Sequence, residues 1–222
     1  MRSLHVDEFN HDDCAKEYDE DVKNEQSDPV RTGYEATLQW VVGNANLSKE
    51  SRVLELGSGT GNLTRKIEAC GEIVCVDIST RMEQVGRPKL SHLENRSFIV
   101  DDILEVLTKH IGFFDTIIST YTAHHLIEEE KKLFFKRIWD RLLPGGVAVF
   151  GDLMLDTEAS KKTKIDSYRN NGDEKTAIAI EEEFFWIADK SVLEMEKAGF
   201  DPVDVKRFSD LSYGIKAKKP AS

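Results

Sequence analysis

Hydrophobic and polar positions along the chain follow two different periods. Five short apolar runs have the length and composition of buried parallel strands: residues 52–56, 73–77, 97–100, 114–119 and 147–150. Between these runs, apolar residues recur at helical spacing, most clearly over residues 128–143. Strands that alternate with helices in this way are typical of parallel βαβ units.

The flanking regions predict further elements. Residues 10–47 are predicted to be mostly helical, with a break near Asp28-Pro29, and a helix is predicted from Asn62 to about Gly71. Another helix begins after Ser79, which is a plausible N-cap. Residues 181–199 are predicted to be helical, whereas residues 156–180 are too polar for a clear assignment.

Two last apolar segments, residues 203–208 and 212–217, have no helix between them and predict an antiparallel hairpin. The predicted fold is therefore α/β: a Rossmann-like, doubly wound, seven-stranded sheet, mostly parallel with a C-terminal antiparallel hairpin and helices on both faces. A sheet of this kind binds its ligand at the carboxyl ends of the strands, where the strand order reverses.

Composition and charge narrow the possible partners. The chain has 222 residues and a net charge of −11, and residues 1–30 hold three Lys or Arg against ten Asp or Glu. Acidic surfaces disfavour nucleic acid as a partner. No apolar run is long enough for a membrane helix, and the first residues do not resemble a secretory signal, so we expect a cytoplasmic protein. Three scattered cysteines predict neither disulfides nor a metal site.

The strongest local signal is the turn that follows the first strand. Gly57, Gly59 and Gly61 alternate with small hydroxylated residues, which predicts a bare turn that a nucleotide-type ligand can approach closely. The spacing differs from the G-x-G-x-x-G fingerprint of dinucleotide-binding proteins. Glu55 precedes the turn, and a carboxylate there disfavours phosphate and suits an ammonium group.

Carboxylates end the next two predicted strands. Asp77 lies twenty residues beyond Gly57, where it can accept hydrogen bonds from both hydroxyl groups of a ribose. Alternatively, Asp77 caps a helix. Asp101 or Asp102 can accept from an adenine amino group, with the backbone N–H of Ile103 near a ring nitrogen, or either aspartate can cap the following loop.

Four segments together resemble the class I S-adenosylmethionine-dependent methyltransferases: Val53–Gly61, Val76-Asp77-Ile78-Ser79 with Met82, Asp101-Asp102, and Leu143-Pro144-Gly145-Gly146. The segment Phe9-Asn10-His11-x-x-x-Ala15-x-x-Tyr18-Asp19 is similar to the lid helix that precedes many bacterial members acting on small molecules. Within the class, the chain most resembles the YrrT-like methyltransferases of Gram-positive bacteria.

The resemblance implies S-adenosylmethionine as the cofactor and a role for each matching residue. Glu55 would face the methionine ammonium group through water, and Gly57 and Gly59 would pass beneath the methionine. Asp77 would hold the ribose. The implied contacts to adenine come from Ile78, Met82 and Asp102, with Asp101 as the second choice for the aspartate. At the methionine end, the implied contacts come from Ser119 and from Tyr18 in the lid. Tyr18 could equally be a packing residue of an amphipathic helix.

A general base is needed only if the methyl acceptor carries a proton with a high pKa. The candidates are Tyr121, His124 and His125, which follow the fourth strand at the mouth of the predicted site. Neighbouring histidines cannot both point the same way, so one of the two is expected to pack or to cap the next helix.

These observations predict a methyltransferase that acts on a small molecule by in-line transfer. The chain has no Asn-Pro-Pro-Tyr type motif after the fourth strand, which agrees with a small acceptor. We expect residues 1–47 to form a helical lid, part of the same unit as a methyltransferase domain over residues 48–222, in a monomer or homodimer without membrane or nucleic-acid partners. The alternatives are a non-catalytic module that binds S-adenosylmethionine and, less favoured, a nicotinamide-dependent oxidoreductase.

Overall fold

A computed structural model describes residues 1–23 and 25–221. Its strands are β1 (Arg52–Leu56), β2 (Glu72–Asp77), β3 (Arg96–Val100), β4 (Phe114–Thr120), β5 (Leu142–Leu155), β6 (Trp186–Ile187), β7 (Val203–Arg207) and β8 (Ser212–Lys218). They form one sheet in the order β3-β2-β1-β4-β5-β8-β7, and β6 pairs with β5 outside that path.

The first five strands run parallel, and β8 pairs antiparallel with both β5 and β7. β1 lies at the centre, where Leu54 is opposite Val74 on one side and Ile117 on the other. The strand order reverses between β1 and β4, which opens a crevice at the carboxyl ends of these strands.

Helices cover both faces of the sheet. They are α1 (Tyr18–Asp21), α2 (Tyr34–Asn44), α3 (Thr80–Gly86), α4 (Ile103–Val106), α5 (Glu128–Arg141), α6 (Glu158–Asn170), α7 (Glu174–Glu182) and α8 (Ala188–Ala198). Leu54 faces a buried cluster that includes Phe134 of α5, and its neighbour Val53 faces a second cluster that includes Leu38 of α2. The predicted fold class is confirmed, with the two-residue β6 as an eighth strand.

The prediction of a mostly helical stretch over residues 10–47 is confirmed after its break near Asp28-Pro29 and is largely wrong before it. The structure has a 3₁₀ turn at His11–Cys14, the single turn α1, and then α2 from Tyr34. Acidic side chains crowd this region, and like charges at helical spacing destabilise a helix. We call residues 1–33 the N-terminal segment.

The helix predicted from Asn62 to Gly71 is also wrong, since only a 3₁₀ turn forms at Thr64–Lys66. Ile67 is fully buried and has extended backbone, so the chain leaves the helical conformation after one turn. The ligand crevice therefore has no long helix starting beneath the glycine turn.

Two C-terminal assignments change as well. Pro144–Gly146 were expected to separate α5 from a strand at residues 147–150, but they lie within β5, beside an irregularity in its pairing with β4. The unassigned polar region forms α6 and α7, and Gly199 ends α8 as predicted. No helix among the described residues combines the length and apolarity that crossing a bilayer requires.

Candidate active site

A cavity of about 890 Å³, its open mouth included, lies at the carboxyl ends of β1–β4. Its walls come from the glycine turn after β1, from the residues following β2 and β3, from residues 120–122 after β4, and from the N-terminal segment. Its lining combines aromatic and aliphatic side chains with a few polar groups, which is typical of small-molecule sites. Of the predicted site residues, the cavity is lined by Tyr18, Gly57, Gly59, Asp77, Ile78, Met82, Asp102, Ile103, Tyr121 and His125.

The glycine turn provides space and carbonyls instead of free amides. Gly57 has φ +75°, and a Cβ added there would lie 1.9 Å from the Thr122 hydroxyl oxygen. Gly59 has φ +51°, and its missing Cβ would meet nothing within 4 Å. The N–H groups of Gly57 and Ser58 already donate to the Val76 carbonyl at 2.8 and 2.9 Å. The turn therefore admits a ligand closely but leaves neither of these two amides free for a phosphate.

Asp77 borders the cavity with both oxygens engaged by the backbone. Oδ2 accepts from the Gly59 N–H at 2.7 Å, and Oδ1 accepts from the Ser79 N–H at 2.8 Å. Ser79 itself is the N-cap of α3, as predicted, and accepts from the Met82 N–H at 2.9 Å. Burial raises the pKa of Asp77, and the nearby Asp12 carboxylate adds to that shift while the two hydrogen bonds oppose it.

The two aspartates after β3 have different surroundings. Asp102 is buried and caps α4, because Oδ1 accepts from the N–H groups of Leu104 and Glu105 at 2.9 Å each. Its Oδ2 accepts from both the N–H and the hydroxyl group of Ser3 in the N-terminal segment. Asp101 instead pairs with Lys109 and does not line the cavity. Asp102 thus combines the capping role with a position in the cavity wall.

Glu55 and Ser119 lie behind the cavity wall. The Glu55 carboxyl is almost fully buried, and it accepts a hydrogen bond from the Thr64 hydroxyl group. Burial raises the pKa of Glu55 to about 8, with Asp77 as a smaller contribution in the same direction. The Ser119 hydroxyl group donates to the Leu56 carbonyl at 2.7 Å. Neither side chain contacts the cavity directly.

Tyrosine rings line one end of the cavity. Tyr121 has φ +48°, and its hydroxyl oxygen lies 3.1 Å from the Ser212 hydroxyl oxygen. Its ring centroid is 4.9 Å from that of Tyr34, whose hydroxyl accepts from Asn62 Nδ2 at 3.3 Å. The Oδ1 atom of Asn62 is buried, and no group in the described part of the chain forms a hydrogen bond with it. As a site residue, Asn62 escaped the sequence analysis because no motif distinguishes it.

The two adjacent histidines have different surroundings, although their ring centroids are only 3.9 Å apart. His124 is buried behind the wall, with Nδ1 2.5 Å from Asp152 Oδ1 and Nε2 3.5 Å from Glu183 Oε2. His125 lines the cavity and stacks on Phe9, with ring centroids 4.0 Å apart. The Nδ1 atom of His125 is buried and has no hydrogen-bond partner within residues 1–23 and 25–221, and burial lowers the pKa of this histidine well below its usual value.

The N-terminal segment closes one side of the site through polar contacts. Asp19 accepts from the Thr60 hydroxyl group at 2.6 Å and from Asn62 Nδ2 at 3.1 Å. Asp12 accepts from the Ser79 hydroxyl group and from the Arg81 N–H. The acidic residues of this segment therefore pair with donors around the cavity, and sequence spacing gave no sign of these pairs.

Comparisons with known proteins agree with this geometry. Residues 53–146 match the family model of a methyltransferase domain. The chain is similar to an uncharacterized methyltransferase of Oceanobacillus iheyensis, with 34% identity over 213 residues, 95% of this chain and 96% of that protein. It is also similar to the uncharacterized methyltransferase YrrT of Halobacillus halophilus, with 29% identity over 219 residues, 96% and 97% of the two chains.

Among solved structures, the fold is similar to that of the N-methyltransferase NodS from Bradyrhizobium japonicum in complex with S-adenosyl-L-homocysteine. The TM-score is 0.62 at 16% identity, and the match covers 94% of this chain and 100% of that chain. At this identity the likeness concerns the fold, which places the cavity described above on a scaffold of the same architecture.

Proposed function

This chain belongs to the S-adenosylmethionine-dependent methyltransferases, and from that premise we propose that its methyl acceptor is a small molecule bound in the cavity. The class I resemblance is confirmed, as are the enzyme class and the cofactor. Family membership decides against the nicotinamide-dependent alternative. The observation that carries the proposal is the cavity itself, which is lined by aromatic and aliphatic side chains with a few polar groups and is roofed by the N-terminal segment.

The residues present fit the cofactor. Gly59 leaves open space in the cavity floor where any side chain would project, and Asp77 and Asp102 place two carboxylates along one wall. We assign the ribose hydroxyl groups to Asp77, since each of its oxygens accepts only one backbone N–H and keeps a second lone pair. Ile78 and Met82 are assigned to the adenine faces, and both line the cavity.

The adenine amino group is assigned to Asp102 with the backbone of Ile103 beside it, because Asp101 is paired with Lys109 outside the cavity. In the present arrangement Ser3 donates to the oxygen of Asp102 that this amino group would use. Binding would therefore exchange the Ser3 contact for one from adenine.

The methionine end is assigned to Gly57 and Tyr18, with Glu55 and Ser119 acting from behind the wall. Glu55 can influence the ammonium group only through intervening polar groups or water, since it does not border the cavity. When bound, the cofactor supplies an activated methyl group on a sulfonium sulfur.

The acceptor end is assigned to the region of Tyr121 and His125. Both line the cavity, and His125 presents a ring nitrogen that no group of the described chain satisfies. His124 does not reach the cavity and acts as a positioning residue through its contact with Asp152. These residues orient the acceptor and exclude water, and such positioning can supply a large part of the rate enhancement in a displacement reaction.

We also propose that residues 1–47 work as a lid on the domain formed by residues 48–222. Ser3, Val6, Phe9, His11 and Tyr18 all line the cavity although they lie far along the chain from its floor. The lid belongs to the same unit as the domain, because α2 packs in the core against β5 and β8.

The test is methyl transfer from radiolabelled S-adenosylmethionine to fractionated cell extract. We expect the label in the low-molecular-weight fraction, and we expect Asp77→Ala to reduce it, because that variant weakens cofactor binding. Label in the protein or nucleic-acid fraction would contradict a small acceptor. Cofactor binding without transfer to any fraction would favour the non-catalytic alternative.

A further inference from the structure

Three side chains beside the acceptor end form a cluster with metal-ligand character. His124, His125 and Glu183 each offer one ligand atom, and these atoms all lie within 4.8 Å of one another. We propose that the cluster is a binding site for a divalent transition metal of the Zn²⁺ type. The site deepens the proposed function, and its role toward the acceptor rests on that function.

The spacing suits three ligands of a tetrahedral coordination sphere after small movements. His124 Nε2 lies 3.5 Å from Glu183 Oε2. Zn²⁺ binds nitrogen and oxygen at about 2.0–2.2 Å in a tetrahedron, which separates neighbouring ligand atoms by about 3.3–3.5 Å. Two imidazoles with one carboxylate favour a transition metal over Mg²⁺ or Ca²⁺, which prefer oxygen ligands.

An independent observation is the unsatisfied nitrogen of His125. Its Nδ1 atom is buried and has no hydrogen-bond partner among the described residues. A buried polar atom without a partner is costly, and native proteins rarely retain one without a reason. A metal ion beside Nδ1 would supply the missing interaction.

The surroundings of His124 match those of a metal ligand. Asp152 Oδ1 lies 2.5 Å from His124 Nδ1, which leaves Nε2 of the same ring as the outward atom facing Glu183. Carboxylates that orient a ligating histidine in this way are typical of protein zinc sites. Asp152 is itself fixed, since Oδ2 accepts from the N–H groups of Ala123 and His124 at 3.0 and 3.2 Å.

Nearby charges balance a divalent cation. Asp152 and Glu183 contribute two carboxylates next to the cluster. A nearby cation is Lys131, whose ammonium group donates to the Phe184 carbonyl and lies 3.3 Å from Glu128. That contact anchors the residue after Glu183 and so helps to place its carboxylate.

The site would act on the acceptor. His125 lines the cavity, so a metal held by three protein ligands keeps its fourth position on the cavity side. A small acceptor with a hydroxyl or thiol group could bind there, and it would release its proton to water more readily than the free molecule does. We therefore assign acceptors with an oxygen or sulfur nucleophile to this enzyme.

The experiment uses the purified full chain, stripped with a chelator and titrated with Co²⁺ as a visible probe and Zn²⁺ as its competitor. We expect one Co²⁺ per chain, an intense d–d absorption typical of four or five ligands, and displacement by Zn²⁺. Glu183→Gln should weaken binding at least tenfold, and Asp152→Asn by about 10–100-fold. The Glu183 side chain is 30% exposed, so its replacement should not prevent folding.

Two controls separate the site from adventitious binding. Glu182→Gln changes the adjacent exposed carboxylate, and His110→Ala removes an exposed histidine elsewhere, and neither should alter the titration. The inference is overturned if Co²⁺ keeps the weak spectrum of the hydrated ion, or if Glu183→Gln binds it as tightly as the unmodified chain.

The same preparations distinguish this inference from the proposed function. Cofactor affinity, measured by calorimetry on Glu183→Gln, should be unchanged. Label transfer to small molecules by a chain that binds no metal would remove the metal site and leave the proposed function intact. Metal binding together with label transfer only to macromolecules would contradict the proposed function and leave the metal site intact.

Discussion

The carboxyl edge of the sheet and the N-terminal segment build the same cavity by different means. The sheet edge rests on strands whose side chains are almost completely buried, as at Leu54, Leu56 and Ile118. The N-terminal segment is mostly turns, and it is attached through hydrogen bonds and ion pairs such as Ser3–Asp102 and Lys89–Asp19. Apolar burial contributes more free energy than partly exposed polar contacts. The sheet edge therefore supplies most of the stability, and the N-terminal segment can rearrange at a lower cost.

The largest expected difference between the two regions is in the free energy of unfolding that is lost when a large apolar side chain is removed. Phe150 in β5 is buried among Phe134, Phe135 and Trp186, and Phe150→Ala should lower the free energy of unfolding by about 3–5 kcal/mol. Phe9→Ala, in the half-buried N-terminal segment, should cost clearly less. Urea denaturation of both variants measures this, and equal losses would show that the segment is part of the main core.

The next effect is a pH dependence of the free energy of unfolding, which comes from Glu55 at the sheet edge. Burial raises the pKa of Glu55 from 4.5 to about 8, so the folded chain keeps a proton that the unfolded chain releases within this window. The stabilisation is complete below pH 4.5 and is lost as the pH rises through 8, by about 3–5 kcal/mol in total.

Glu55→Gln should remove this slope, because the amide does not titrate. Denaturant midpoints recorded between pH 5 and pH 9 measure it. Glu72→Gln, a partly exposed glutamate in the adjacent strand, is the matched control and should retain the slope. An unchanged slope in Glu55→Gln would mean that another group is responsible.

A smaller effect concerns cofactor affinity. Asp77→Ala should weaken S-adenosylmethionine binding by about 1–3 kcal/mol, roughly 5- to 150-fold, because the ribose loses a charged acceptor. Calorimetry measures the change, with Asp204→Ala on the exposed face of β7 as the control. An unaltered dissociation constant would remove Asp77 from the site.

The smallest expected effect is an increase in cofactor affinity, and it comes from a substitution in the N-terminal segment. Ser3→Ala removes a hydroxyl group that donates to Asp102, and it should tighten S-adenosylmethionine binding by about 0.5–1 kcal/mol, a few fold at most. The exposed Ser91→Ala is the control. Weaker binding by Ser3→Ala would mean that this contact supports the cofactor site instead of competing with adenine.

The two regions also differ in how far the sequence predicted them. Strand periodicity and the glycine turn located β1–β5, Gly57, Gly59, Asp77 and Asp102, because a buried strand and its end are local features of the chain. The contacts that attach the N-terminal segment to the cavity could not be predicted, since Asp12 and Asp19 pair with donors at Ser79 and Thr60, about forty or more residues away.

The same reasoning explains the missed cluster. His124 and His125 were singled out from their position after β4, but Asp152 and Glu183 come from β5 and from the end of α7. No spacing rule connects residues that meet only after the sheet and the C-terminal helices have assembled. The helix expected after Asn62 failed for a related reason, since the burial of Ile67 overrode local helical preference.

The hydroxyl group of Ser212 joins three parts of the chain. It lies 3.1 Å from the Tyr121 hydroxyl oxygen and donates to the Thr32 carbonyl at 2.9 Å, so β8, the exit of β4 and the N-terminal segment meet at one buried side chain. A ligand that contacts Tyr121 more favourably when the segment is docked must, by thermodynamic linkage, stabilise the docked segment by the same factor. For such a ligand, occupancy next to Tyr121 and docking of the segment would be reciprocal quantities, with Ser212 as the shared contact.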